Sequence, residues 1–202
     1  MQKHTEFSPT KKLYETLVEC IESGKENPCR DAVLPFFDYL AQMHGMKIES
    51  VLCEYAADDA DRADIILVCI PSLIPDDIDP ATAIGYKKCI IYECKKPSAR
   101  VLDRKDKSAK RPNRSAAWIE AEDQLAYYSD IVRNNNNIMK HVKGILPVIE
   151  KGGIIIGRHG TGEEWFEFYH RYKNAAPHNV FTWDDVLADI KNYFSREIES
   201  DT

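Results

Sequence analysis

Apolar positions recur along the chain with two periods, and the switch between them predicts the elements. Near the N-terminus Leu13, Leu17 and Ile21 stand four apart, the spacing of one helix face. Ser8-Pro9 supplies a start signal and Gly24 an end. Asn27-Pro28 repeats the start, and Val33, Phe36, Phe37, Leu40 and Met43 form a second apolar face closing at Gly45. Pro35 inside that stretch predicts a kink or a delayed start. Ile48 to Tyr55 then reads as a strand. Ala63 to Ile70 reads as a stronger one, apolar on both faces and therefore interior to its sheet. Pro71 to Tyr86, with three prolines and Asp76-Asp77, predicts a loop. Cys89 to Lys95 is a second buried strand, stopped by Pro97. Ser115 caps a helix whose stripe is Trp118, Ala121, Leu125, Tyr128 and Val132, ended by the run Asn134 to Asn137. Ile145–Ile149 and Ile154–Ile156 predict two strands joined through Lys151-Gly152-Gly153. The stretch Gly157 to Gly162 reads as a hairpin loop and Trp165 to Tyr169 as a further strand. Thr182 caps a last helix with Val186, Leu187, Ile190 and Phe194 on one face. No repeat and no linker interrupts this order, so one domain over 1–202 is expected.

Composition changes this picture little: 44% hydrophobic and 30% charged residues fit a globular chain. The longest apolar run, Ile65 to Ile70, is far short of the ~20 residues of a membrane span, and Met1-Gln2-Lys3-His4-Thr5 opens without an apolar signal stretch. A cytoplasmic protein with no membrane partner is the expectation. The six cysteines (20, 29, 53, 69, 89, 94) form no Cys-x-x-Cys and no zinc spacing, and read as reduced, partly buried thiols.

Charge changes it more. The net charge is −6, which taken alone argues against a nucleic-acid partner. Lys95 to Arg114, however, holds nine basic and two acidic residues and is net +7, leaving −13 for the rest. Such a segment tracks phosphates in a salt-dependent, sequence-independent way. Its candidate contacts are Lys96, Arg100, Arg104, Lys105, Lys107, Lys110, Arg111 and Arg114.

The candidate chemistry lies at the end of the second buried strand, Ile90-Ile91-Tyr92-Glu93-Cys94-Lys95. Glu93 and Lys95 are two apart and share a face. Asp64, the one acid in the other apolar strand, meets them if the two strands pair antiparallel. Two carboxylates and a lysine suit metal-assisted phosphodiester hydrolysis, in which Mg²⁺ takes hard oxygen ligands and the lysine orients water or offsets transition-state charge. A structural ion pair at a sheet rim is the alternative reading. The same Asp/Glu-x-Lys spacing at Asp103-Arg104-Lys105 and Asp189-Ile190-Lys191 lacks the strand context.

On these residues the chain resembles the PD-(D/E)xK nuclease superfamily. Arg62-Ala63-Asp64-Ile65-Ile66-Leu67 and Tyr92-Glu93-Cys94-Lys95-Lys96-Pro97 resemble its two central motifs, and Gln124-Leu125-Ala126-Tyr127-Tyr128 its downstream helix motif. Glu26-Asn27-Pro28-Cys29-Arg30 with Leu34-Pro35-Phe36-Phe37, and Glu54-Tyr55 before the Asp strand, resemble the nuclease domain of type I restriction subunits. Gly153-Ile154-Ile155-Ile156-Gly157-Arg158 is similar to a late strand of Shedu-type antiphage nucleases. The resemblance spans about 26–169 and implies an α/β, restriction-endonuclease-like core. That core is a mixed central β-sheet flanked by helices, with an N-terminal helical pair, a basic loop over 95–114 and a C-terminal helix over 182–199. It further implies Asp64 and Glu93 as Mg²⁺ ligands (Mn²⁺ substituting), the Cys94 carbonyl as a backbone ligand, and Glu26 or Glu54 as an added one. Lys95 would be the catalytic lysine and Gln124 its support. The expected function is a DNA endonuclease in restriction or phage defence, with RNA as another substrate and a homodimer or partner protein left open. A catalytically inactive module binding nucleic acid or a protein is the alternative. Gly157 to Gly162 lacks the Gly-Lys-Ser/Thr of a phosphate loop, so any motor would belong to a partner.

Overall fold

A chain with apolar residues on both faces of its strands needs cover on both, and the helices supply it. The computed structural model describes residues 9–38, 41, 46–56, 62–71, 88–103, 112–134 and 148–199. Helix α1 spans Pro9–Ser23 and α2 Glu26–Val33, followed by a 3-10 turn Leu34–Phe36. Strands β1 (Met46–Ala56), β2 (Arg62–Pro71) and β3 (Lys88–Cys94) come next. A two-stranded ribbon, β4 (Leu102–Asp103) and β5 (Asn113–Arg114), leads to α3 (Ala116–Asn134). Strand β6 (Val148–Ile155), α4 (Glu163–Ala175), β7 (Asn179–Phe181), α5 (Trp183–Tyr193) and α6 (Ser195–Glu199) complete the described part.

The five-stranded sheet has the order β1-β2-β3-β6-β7. Strands β1 and β2 pair antiparallel, as do β2 and β3, whereas β3 with β6 and β6 with β7 are parallel. The sheet is therefore mixed, and both apolar strands read from the sequence are interior. Ile65, Leu67, Cys69, Ile90, Tyr92 and Cys94 face one core with α1, α2 and α5. Ile66, Val68, Cys89 and Ile91 face the other, with the α3 stripe and Tyr169 of α4. This alternation is the period-2 consequence of extended backbone. All six cysteines are free, and burial pushes the Cys29 thiol up to about 12, as for an inert core thiol. Among the described residues no helix is long and apolar enough to cross a membrane.

Several expected boundaries shift. Helix α2 begins at Glu26, not at an Asn27 cap, and Pro28 sits in its first turn, where a missing N–H costs nothing. Pro35 marks the change from α to 3-10. The two late strands are one strand, β6, running through Gly152-Gly153 with an irregularity opposite Ile91 and Tyr92. A Cβ on Gly152 would lie 2.6 Å from both Ile90 and Tyr92, so close packing and not a turn accounts for that glycine. The stretch Trp165 to Tyr169 is helix α4, not a strand. Its buried Phe168 and Tyr169 and exposed Phe166 follow helical spacing once Tyr172 is included. The turn Gly157 to Gly162 accordingly joins a strand to a helix and is no hairpin loop. The C-terminal helix breaks at Phe194 into α5 and α6. The expected loop over 72–86 lies outside the described residues, apart from Pro71 at the end of β2.

Candidate active site

Because β3, β6 and β7 run parallel, their C-terminal ends share one edge of the sheet, and antiparallel β2 begins there. That edge is where open α/β sheets leave a crevice. The β2–β3 register pairs Ile65 with Tyr92, so one step further Asp64 stands opposite Glu93. The antiparallel adjacency read from the sequence is present.

Asp64 is held by backbone. Its Oδ2 accepts from the Cys94 amide at 2.8 Å. Lys95 is held at three points. Its amide donates to the Ile155 carbonyl at 2.8 Å, its carbonyl accepts from the Trp183 indole at 2.8 Å, and its ammonium lies 3.1 Å from Glu93 Oε1. The ammonium also donates to Gln124 Oε1 and lies 3.6 Å from Glu120 Oε1, one turn earlier on α3. Successive residues of a strand present their N–H and C=O to alternate edges. With the Lys95 groups facing β6 and β7, the Cys94 carbonyl lies on the Asp64 edge.

Electrostatics set this cluster apart from an ordinary rim pair. Glu93 is 3% exposed, and its Oε2 has no hydrogen-bond partner among the described residues. Burial, with the neighbouring Asp64 charge adding to it and Lys95 opposing, pushes the Glu93 carboxyl up to about 8. Burial likewise pushes Asp64 up to about 6, against the pull of the Cys94 amide. Burial works against the Lys95 charge, yet Glu93 and its other acidic neighbours hold the ammonium above its ordinary value. Buried like charges side by side are costly unless a further cation offsets them.

Of the other candidates, Glu26 reaches the rim, where its Oε2 accepts from the Lys96 amide at 2.9 Å. Glu54 lies on β1, but its side chain is outside the described residues, as are Arg104, Lys105, Lys107, Lys110 and Arg111. Lys96 and Arg100 are exposed, Arg100 standing 3.5 Å from Asp103. Arg114 pairs with Glu122 of α3, a carboxylate that also accepts from the Trp118 indole. Three residues at the site had no role assigned from the sequence. Arg30, four after Glu26 on α2, points a guanidinium at Asp64, and that i, i+4 spacing was its only signal. Glu120 sits one turn before Gln124. Trp183 arrives from the far end of the chain with no local signal.

The donors suit a hard divalent cation: two carboxylates, one of whose oxygens has no hydrogen-bond partner among the described residues, and a carbonyl on the same edge. Among the described residues no group of three or more His, Cys, Asp or Glu side chains could hold a metal by itself. A cation here would complete its shell with water or phosphate oxygens, as Mg²⁺ does. No protein-family model matches the chain, and a comparison with curated proteins finds no match.

Proposed function

We propose that the protein is a Mg²⁺-dependent nuclease of the PD-(D/E)xK type, with a restriction-endonuclease-like core, hydrolysing DNA phosphodiesters in restriction or phage defence. The observation that carries the reading is Glu93, whose buried carboxylate accepts from Lys95 at Oε1 and whose Oε2, beside Asp64, has no hydrogen-bond partner among the described residues. Asp64, Glu93 and the Cys94 carbonyl would hold the cation, which when bound acidifies a water and offsets charge on the scissile phosphate. Lys95, fixed by Gln124 and Trp183, orients the attacking water and stabilises the pentavalent charge. Gln124 keeps the ammonium over the site, and the basic segment after Lys95 draws in the phosphate backbone.

The test is cleavage of plasmid DNA by the purified chain in Mg²⁺ or Mn²⁺, with a chelator control and RNA alongside. Glu93→Ala and Lys95→Ala are each expected to lower the rate at least ~1,000-fold while leaving the far-UV circular dichroism unchanged. Wild-type rates in both would overturn the assignment. A non-cutting nucleic-acid-binding module is the second reading, favoured by the two-carboxylate donor set. Salt-sensitive binding without metal-dependent cleavage would select it.

A further inference from the structure

We propose that the cavity between the basic ribbon and the start of α4 takes a guanine base turned out of a DNA strand, with the Glu163 carboxylate reading its edge. The inference rests on the nucleic-acid partner of the reading above and deepens it by naming a substrate class, single-stranded or locally opened DNA. The cavity measures about 290 Å³ and lies between Leu102 and Pro112 on one side and Thr161 to Trp165 on the other. Leu102 opens β4 and Pro112 precedes β5, and the sequence between Asp103 and Pro112 holds five basic residues and one acid. The cavity therefore opens within the +7 segment, on the side of the sheet where α3 meets Lys95. Its walls are fixed. The Trp165 ring stacks on Tyr169 with centroids 4.8 Å apart, and the Tyr172 hydroxyl donates to the Pro112 carbonyl at 3.1 Å. A Cβ on Gly162 would meet nothing within 4 Å, so the mouth is open there.

Phosphates and bases need different surroundings. Basic side chains draw in the phosphate backbone without regard to sequence. Apolar walls around a small space suit one planar ring, and a base reaches such a space only by leaving its stack. Glu163 and Glu164 line the mouth with carboxylates, which repel phosphate and act only as hydrogen-bond acceptors. Glu163 is exposed, and no hydrogen bond or ion pair engages its side chain among the described residues. The guanine edge that pairs in a duplex carries two adjacent donors, N1–H and the N2 amino group, which match the two oxygens of a carboxylate. Thymine offers one imino N–H between two carbonyl oxygens, which a carboxylate repels. A paired guanine has its donor edge occupied, so selection of this kind works only on opened DNA. Acids in a first turn also steady a helix, a role that treats every strand alike.

The experiment measures binding of the full chain to short fluorescent oligothymidines by anisotropy, in chelator so that nothing is cut. One central guanine is expected to tighten binding about tenfold over the uniform strand. Hypoxanthine in its place, which lacks only the N2 amino group, and Glu163→Gln should each remove most of that gain. Thr161→Phe, at an exposed position of the lining, fills the cavity and should remove it as well. The gain should also vanish when the guanine is paired in a duplex. Equal affinity of the wild type for both strands would overturn the inference. So would a gain that hypoxanthine reproduces in full, or one that survives Glu163→Gln, Thr161→Phe or pairing. A wild-type chain that binds neither strand at low salt would overturn the nucleic-acid reading itself.

Discussion

Glu93 is a residue that the fold holds at a cost. Its folded value of about 8 lies above the ordinary 4.5, so the folded state binds this proton more tightly than the unfolded chain does. The stability it contributes is complete below the ordinary value and is lost as the pH rises through about 8. In chelator-treated protein Glu93→Gln is expected to exceed the wild type by on the order of 2 kcal/mol above pH 8. The gap should close below pH 4.5. Urea unfolding at several pH values, read from midpoints at constant slope, measures it. A difference that does not change with pH would mean that Glu93 titrates as an exposed carboxylate.

At the scale of elements, the site is a joint between distant parts of the chain. Helix α2 spans the strand ends, with Glu26 at the exit of β3 and Arg30 at the entry of β2. Helix α3 lays Glu120 and Gln124 against Lys95. Helix α5 is started by a capping box between Thr182 and Asp185 and delivers the Trp183 indole to the Lys95 carbonyl. That helix lies beyond residues 26–169, the stretch that carries the proposed resemblance, yet it holds the backbone of the lysine. Trp183→Phe keeps an aromatic ring and removes the donor, leaving a buried carbonyl unpaired. It is expected to cost about 1–3 kcal/mol and to slow cleavage more than it weakens DNA binding. Thermal melts with single-turnover rates and anisotropy titrations separate these effects. Unchanged cleavage by the folded variant would remove α5 from the site.

For the whole molecule, the informative quantity is where the charge sits. A −13 body carries a +7 segment that starts at Lys95, and on the proposed reading this distribution would repel polyanions generally and attract them locally. Reversing Lys105, Lys107 and Lys110 to Glu is expected to weaken DNA binding irrespective of sequence. The slope of log affinity against log salt should become shallower by about 0.9 for each phosphate that the protein no longer neutralises. Anisotropy titrations over a salt series measure this, and an unchanged slope would take the segment out of the interface.

The sequence by itself determined which strands would be buried, that the sheet would need cover on both faces, and that Asp64 and Glu93-x-Lys95 were out of place in apolar runs. These are local properties: a period of two or four, an acid where its neighbours are aliphatic. The N-cap residues Ser115 and Thr182 were legible for the same reason, since a cap acts within one turn. Period alone did not decide the short aromatic run of α4, whose five residues fit strand or helix until the next turn is counted. Nor did it decide the glycines of β6, which mark close packing, Gly152 against Ile90 and Tyr92 and Gly153 against Asn179, and resemble a turn in a linear reading. Only the tertiary structure brought Arg30, Glu120 and Trp183 to the lysine and the two acids, because burial and electrostatic coupling depend on distance in space. A guanidinium on one helix and an indole near the other end of the chain carry no mark in sequence of the carboxylate or carbonyl they meet.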